Sequence, residues 1–178
     1  CSRMGKFVLS ASGQSMAAVL GTLLIARRAT LAVAESCTGG LIAKQLTDVP
    51  GSSNFFLFSG VTYANAAKVG VLGVRKQTLD AKGAVHEDTA QEMALGAQKA
   101  AGADYAIATT GIAGPDGGTD DKPVGTICLG LATPEGNRAF RYVFNFGDRD
   151  LNRRIFAAMA MDRLRLHLLG HLPLREEG

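Results

Sequence analysis

The stretch TLAVAESCTGGLIAKQL, residues 30–46, admits few architectures. A short apolar run passes through a Gly-Gly pair directly into a segment with helical spacing. A strand that feeds a helix in this way belongs to a crossover unit and a parallel sheet. The pattern extends in both directions. Residues 13–28 read as a helix, with Met16, Leu20, Leu23 and Leu24 on one face. Residues 30–35 form the first strand, and a helix over 39–48 stops near Pro50-Gly51. FFLFSGVTYAN, 55–65, holds the second strand, and Asn65 suits the cap of the helix AAKVGVLG. A longer helix covers 87–101, with Ala90, Met93, Ala94, Ala97 and Ala101 on one face.

The second half changes character. DYAIATT, 104–110, is the third strand, and GIAGPDGGTDDKP, 111–123, is a long loop dense in Gly, Pro and Asp. VGTICLGLAT, 124–133, is the fourth strand, PEGN a turn, and RAFRYVFNF, 138–146, the fifth. Asp148 caps a last helix over 149–169. No helix fits between strands three and four, so these run antiparallel, and the tight turn makes five antiparallel to four. The expectation is an α/β fold with a mixed, mostly parallel five-stranded sheet and helices on both faces. The C-terminal ends of strands one, two, three and five then lie at one sheet edge, with the start of strand four. Open α/β sheets bind ligands there. Glu35–Gly40, Tyr63–Lys68, Gly111–Pro123 and Gly147–Asp150 are expected to meet in one crevice.

Composition narrows the function. At 178 residues, 47% of them apolar, the chain fits one domain over 1–178, with 1–11 a tail or the remnant of a longer chain. Net charge is only +3, and Trp is absent. With no basic stretch interleaved with aromatics, nucleic acid is not an expected partner. Cys1, Cys37 and Cys128 are odd in number and widely spaced, which favours free thiols in a cytoplasmic protein. MAAVLGTLLIA, 16–26, is too short to span a membrane, and no cleavage site follows it. His167 and His171 stand at i,i+4 spacing but in a polar tail, a poor metal site.

In ESCTGG, Gly39 and Gly40 free backbone amides at a helix start, and these suit a phosphate or an oxyanion. Ser36 is the candidate nucleophile and Thr38 a hydroxyl donor; a tight turn with a serine cap explains the same residues without chemistry. Cys37 competes as nucleophile, yet no histidine is evidently beside it. Lys68, one turn into the helix after strand two, is the candidate base, because desolvation in a cleft eases loss of its proton. Tyr63 can relay a proton or hold the lysine. A surface lysine and an anchoring tyrosine are the plain alternatives. In the glycine loop, Thr109, Thr110, Gly111 and Gly114 offer hydroxyls and bare amides. Asp116, Asp120 and Asp121 read as solvated acids rather than magnesium ligands. Arg149 can clamp a phosphate, and Arg153, one turn later, less so. Neither SxxK, YxxxK, GxGxxG, GxSxG nor a phosphate-loop motif is present.

Taken together, AESCTGG, GVTYANAAK, TTGIAGPDGG, KPVGT and FGDRD resemble the CinA C-terminal domain family, the nicotinamide-nucleotide amidases found in competence/damage-inducible proteins. The likeness runs from about residue 12 to about residue 168. It implies a three-layer α/β/α sandwich with a mixed five-stranded sheet. It implies hydrolysis of the carboxamide of nicotinamide mononucleotide, without metal or cofactor, to nicotinate mononucleotide and ammonia. The family's serine, tyrosine and lysine match Ser36, Tyr63 and Lys68. Substrate contacts are expected from Glu35, Thr38, Gly39, Gly40, Thr110, Gly111, Gly114 and Arg149. A homo-oligomer is expected, as is fusion to an N-terminal molybdopterin-binding-like domain in a longer chain. The rival readings are a non-catalytic nucleotide-binding regulatory module and a metal-dependent pyrophosphatase using the loop aspartates.

Overall fold

Along the first strand the side chains alternate in size, and the two faces of the sheet differ accordingly. The computed structural model describes residues 13–144 and 146–172. In chain order these form α1 (Met16–Arg27), β1 (Leu31–Glu35), α2 (Leu41–Thr47), a 3-10 turn (Ser52–Asn54), β2 (Phe56–Val61), α3 (Asn65–Leu72) and α4 (Lys76–Lys82). There follow α5 (Glu87–Ala101), β3 (Tyr105–Gly111), β4 (Thr126–Thr133), β5 (Gly136–Val143) and α6 (Arg149–Leu168). The five strands lie in the order β2-β1-β3-β4-β5. β1 pairs in parallel with β2 and β3, while β4 is antiparallel to both β3 and β5. This is the three-layer, mixed α/β/α sandwich that the element order implies.

One face carries Leu31 and Val33 of β1, Tyr105 and Ile107 of β3, and Ile127, Leu129 and Leu131 of β4. These pack on Leu20 and Leu24 of α1, Ile42 and Leu46 of α2, and Phe156, Met161 and Leu164 of α6. Each fully buried large side chain contributes about 1.5–3 kcal/mol. The opposite face is paved with small residues, Ala32, Ala34, Ala106, Ala108 and Ala132, under Met93, Ala94 and Ala97 of α5. Small side chains let α5 lie close to the sheet. A Cβ on Gly130 of β4 would overlap the Ala90 carbonyl, and one on Gly96 would overlap the Leu72 carbonyl of α3.

Some local details depart from the sequence expectations. Asn65 is the first residue of α3 rather than its cap; Ala64 holds that position, with no side-chain hydrogen bond. The short α4 has no periodic run long enough to mark it. The fifth strand spans Gly136–Val143 rather than 138–146. Strand β5 therefore follows a two-residue turn, Pro134-Glu135, where the Thr133 hydroxyl donates to Gly136 O at 3.0 Å and accepts from Glu135 N at 3.2 Å. The Asp148 cap is present, its carboxylate accepting from Leu151 N at 2.7 Å. Residues 1–11, read as a tail, and Cys1 lie outside the described residues. Among the described residues, no helix is long and apolar enough to cross a membrane.

Gly96 lies inside a helix, where alanine ordinarily adds about 0.5–1 kcal/mol. The collision with the Leu72 carbonyl reverses that sign. Gly96→Ala is expected to lose about 1–3 kcal/mol in urea unfolding. Gly70→Ala, facing open space in α3, is expected to gain stability within the same experiment.

Candidate active site

Glu35 ends β1 with its side chain on the α2 side of the sheet, fully buried. Its carboxylate accepts from Gly40 N at 2.9 Å, Ile42 N at 3.2 Å and Ala43 N at 2.9 Å, and from Ser59 Oγ at 3.4 Å. A carboxylate against the first amides of a helix satisfies donors that have no partner within it. Glu35 thus fills the position the sequence offered to an anion. Gly39 N donates to Ser36 O at 3.1 Å. The Thr38 and Thr109 hydroxyls, both buried, bond to each other at 2.7 Å. From α6, Arg153 donates to the turn's carbonyls, Nε to Cys37 O at 3.2 Å and Nη2 to Thr38 O at 2.7 Å. Gly39 and Gly40 adopt φ of 60° and 91°, so the chain can reverse into α2 without a Cβ penalty. The amides of Cys37 and Thr38 donate to no backbone carbonyl among the described residues; the Cys37 amide faces its own thiol.

Lys68 enters from the other side of the sheet. Its side chain is fully buried within α3. Nζ lies 3.1 Å from Ser36 Oγ, 2.8 Å from Thr62 O and 3.1 Å from Tyr63 O. No carboxylate is among these partners. Desolvation therefore dominates and holds the Lys68 pKa below its ordinary value, against a smaller opposing effect of Cys37. A neutral amine has two hydrogens and one lone pair. As an ammonium Lys68 donates to all three oxygens; in the neutral form the two carbonyls would take the hydrogens and the lone pair would face the Ser36 hydroxyl. Cys37 stands beside this pair, but burial pushes its thiol up to about 12. It is a poor nucleophile near neutrality.

Tyr63 meets Lys68 through its backbone only; its ring is exposed, and its hydroxyl lies 3.4 Å from Arg149 Nη2. Arg149 Nη1 also donates to Gly114 O at 2.5 Å. A cavity of about 190 Å³ sits among Cys37, Tyr63, Gly111, Gly114, Asp116 and Arg149. A second, of about 160 Å³, lies on the Pro115 and Asn152 side of Arg149. Asn152 is a residue that the sequence did not single out. It is buried, donates to Ala113 O at 3.0 Å and accepts from Phe146 N at 3.1 Å, pinning the glycine loop to α6. Its only signal was a polar residue one turn after a helix cap. Thr110 is turned to the α5 side, its hydroxyl donating to Ala84 O at 2.8 Å. Asp120 and Asp121 are exposed. Among the described residues, no three His, Cys, Asp or Glu side chains gather closely enough to hold a metal ion.

The structure thus brings Ser36, Lys68 and the Tyr63 carbonyl together beside a cavity rimmed by Tyr63, Gly111, Gly114 and Arg149. Glu35, Thr38, Gly39, Gly40 and Thr110 bond within the protein. An α/β/α sandwich whose first strand delivers a serine to a buried lysine is a narrow class. The chain belongs to the CinA C-terminal domain family, which matches residues 13–168. A CinA-like protein of Desulfosudis oleivorans is 55% identical over 167 residues, 94% of this chain and 40% of the relative. One from Geobacter metallireducens is 50% identical over 95% of this chain and 41% of its own length. The chain therefore spans about 40% of the curated relatives it matches. Among solved structures, a CinA superfamily protein of Klebsiella pneumoniae superposes with a TM-score of 0.83 at 37% identity, over 87% of this chain and 96% of the other. An Escherichia coli counterpart gives 0.82 at 32% identity, over 93% and 98%.

Removing the Glu35 carboxylate would strand three amides at the start of α2. Glu35→Ala is expected to cost about 2–3 kcal/mol in chemical denaturation. Glu35→Gln, which keeps one acceptor oxygen, should cost less. Equal stability of Glu35→Ala and wild type would remove the capping role.

Proposed function

We propose that this domain is a metal-independent amidase that hydrolyses the carboxamide of nicotinamide mononucleotide to nicotinate mononucleotide and ammonia. The observation that carries this reading is the Lys68 amine, 3.1 Å from Ser36 Oγ and buried with no counter-ion among the described residues. Lys68 Nζ takes the Ser36 proton as Oγ bonds to the carboxamide carbon. The carbon–nitrogen bond then breaks, and Lys68 returns the proton to the departing ammonia. Water attacks the acyl-enzyme with Lys68 again as base, and Ser36 recovers its proton when the acid leaves. The Thr38 amide, with the Cys37 amide beside it, is available to the oxyanion, a kind of contact worth roughly 3–4 kcal/mol of barrier.

Arg149 supplies a cation at the rim for the substrate phosphate, with Gly111, Gly114 and the Tyr63 hydroxyl beside it. The greater length of the curated relatives supports fusion to a further domain; that this is an N-terminal molybdopterin-binding-like domain, and that the chain forms a homo-oligomer, stand as accompanying proposals. A binding module without turnover is the second reading. The low exposure of Ser36, 8%, favours it.

Ammonia release from nicotinamide mononucleotide in excess EDTA tests both. Ser36→Ala and Lys68→Ala are each expected to lose at least about 10³-fold in kcat, and Cys37→Ala to retain most activity. Tight binding without ammonia release would leave the regulatory reading. The pH dependence has a definite sign. Lys68 acts as base only when neutral, so kcat/KM should rise with pH through its depressed pKa and then level off.

A further inference from the structure

Arg153 stands at the crevice, and the proposed reaction gives it no task. Its guanidinium is half-buried against the nucleophile turn. Its neighbour Asp150 pairs instead with Arg154, at 2.7 Å. Among the described residues Arg153 has no carboxylate partner; its donors go to two successive carbonyls, those of Cys37 and Thr38. A trans peptide is planar, with its N–H opposed to its C=O. Fixing the Cys37 carbonyl toward Arg153 therefore turns the Thr38 N–H to the opposite side of the turn. Fixing the Thr38 carbonyl does the same for the Gly39 N–H, which is found on Ser36 O. The Thr38 N–H is held in direction but has no acceptor among the described residues. Gly39 completes the fit: a Cβ there would stand 3.1 Å from Arg153 Nη2.

We propose that Arg153 is a positioning residue that orients the peptide after Ser36, so that the Thr38 N–H is pre-aimed at the oxyanion formed when Ser36 is acylated. It touches no substrate. A planar guanidinium can hold two adjacent carbonyls at once, whereas an ammonium is a point donor. Orientation by a fixed partner matters because a donor that must turn during reaction loses its pre-organised advantage. The inference rests on the amidase reading only in taking Ser36 as nucleophile.

Two assays on wild type, Arg153→Ala and Arg153→Lys test it. The first measures kcat and KM for nicotinamide mononucleotide. The second follows labelling of Ser36 by a fluorophosphonate, read as intact mass, which needs the nucleophile and oxyanion donors but no amide substrate. Arg153→Ala is expected to lose about 10²-fold in kcat and in labelling rate, with KM within about twofold. The acid limb of its pH profile should not move, because Lys68 is untouched. Arg153→Lys should recover part of the rate, and it serves as the test variant if the alanine variant fails to fold. Free guanidinium in solution should partly restore Arg153→Ala.

Unchanged kcat with a lowered unfolding midpoint would make Arg153 a mere prop and overturn the proposal. A raised KM with unchanged kcat would make it a substrate contact and overturn it too. If wild type releases no ammonia but Ser36 is labelled, and Arg153→Ala slows that labelling, the amidase reading falls and the positioning role stands. If wild-type Ser36 is neither acylated nor labelled, both fall.

Discussion

A lysine buried without a counter-ion is a demanding thing to build, and the crevice of this domain is arranged around it. Removing an ammonium from water costs several kcal/mol unless the charge is lost or matched. Here the nearest partners are two carbonyls and a hydroxyl. Those are acceptors enough for a neutral amine and poor compensation for a cation. The carbonyls of Thr62 and Tyr63 belong to the segment between β2 and α3, the hydroxyl to the turn after β1. One amine therefore ties together the ends of two adjacent parallel strands and the first turns of the helix that follows.

That arrangement depends on packing far from the amine. α3 can present Lys68 to the strand ends only if it lies close against α5, and α5 only if it lies close against the sheet. Glycine provides both approaches, at Gly96 against the Leu72 carbonyl and at Gly130 against the Ala90 carbonyl. The alanines of β1 and β3 keep the rest of that face thin. On the other face, large aliphatic residues fill the space under α1, α2 and α6. The division of labour is physical: the thick face supplies most of the buried apolar area, and the thin face sets the position of Lys68 against Ser36.

Much of this was legible in the residues. The interruption of strands by helices, and its failure between 104 and 133, fixes the mixed topology, because chain length alone decides whether a crossover helix fits. The same topology puts Ser36 and Lys68 at one edge. The Asp148 cap was readable because capping is local. What escaped depends on distant contacts. A glutamate at a strand end looks the same in sequence whether it meets a ligand or three amides of the next helix, as Glu35 does. Asn65 was a good cap by type but lies one residue too late. Arg153 and Asn152 act on carbonyls more than thirty residues away, and no spacing rule connects them.

In the proposed reaction, the same burial serves two opposite steps. Desolvation lowers the Lys68 pKa and so favours the neutral amine that accepts the serine proton. Once it holds that proton, the ammonium sits where water cannot solvate it and where no carboxylate of the described residues offsets its charge. It is then a stronger acid than a lysine in solution, and the departing amide nitrogen needs a proton to leave as ammonia. A carboxylate beside Lys68 would stabilise the ammonium, raise its pKa and weaken both steps at once. The nearest buried carboxylate, Glu35, is instead engaged with backbone amides on the other face of β1, where a negative charge stabilises the start of α2. The negative charge is thus confined to one side of the strand and the buried amine to the other.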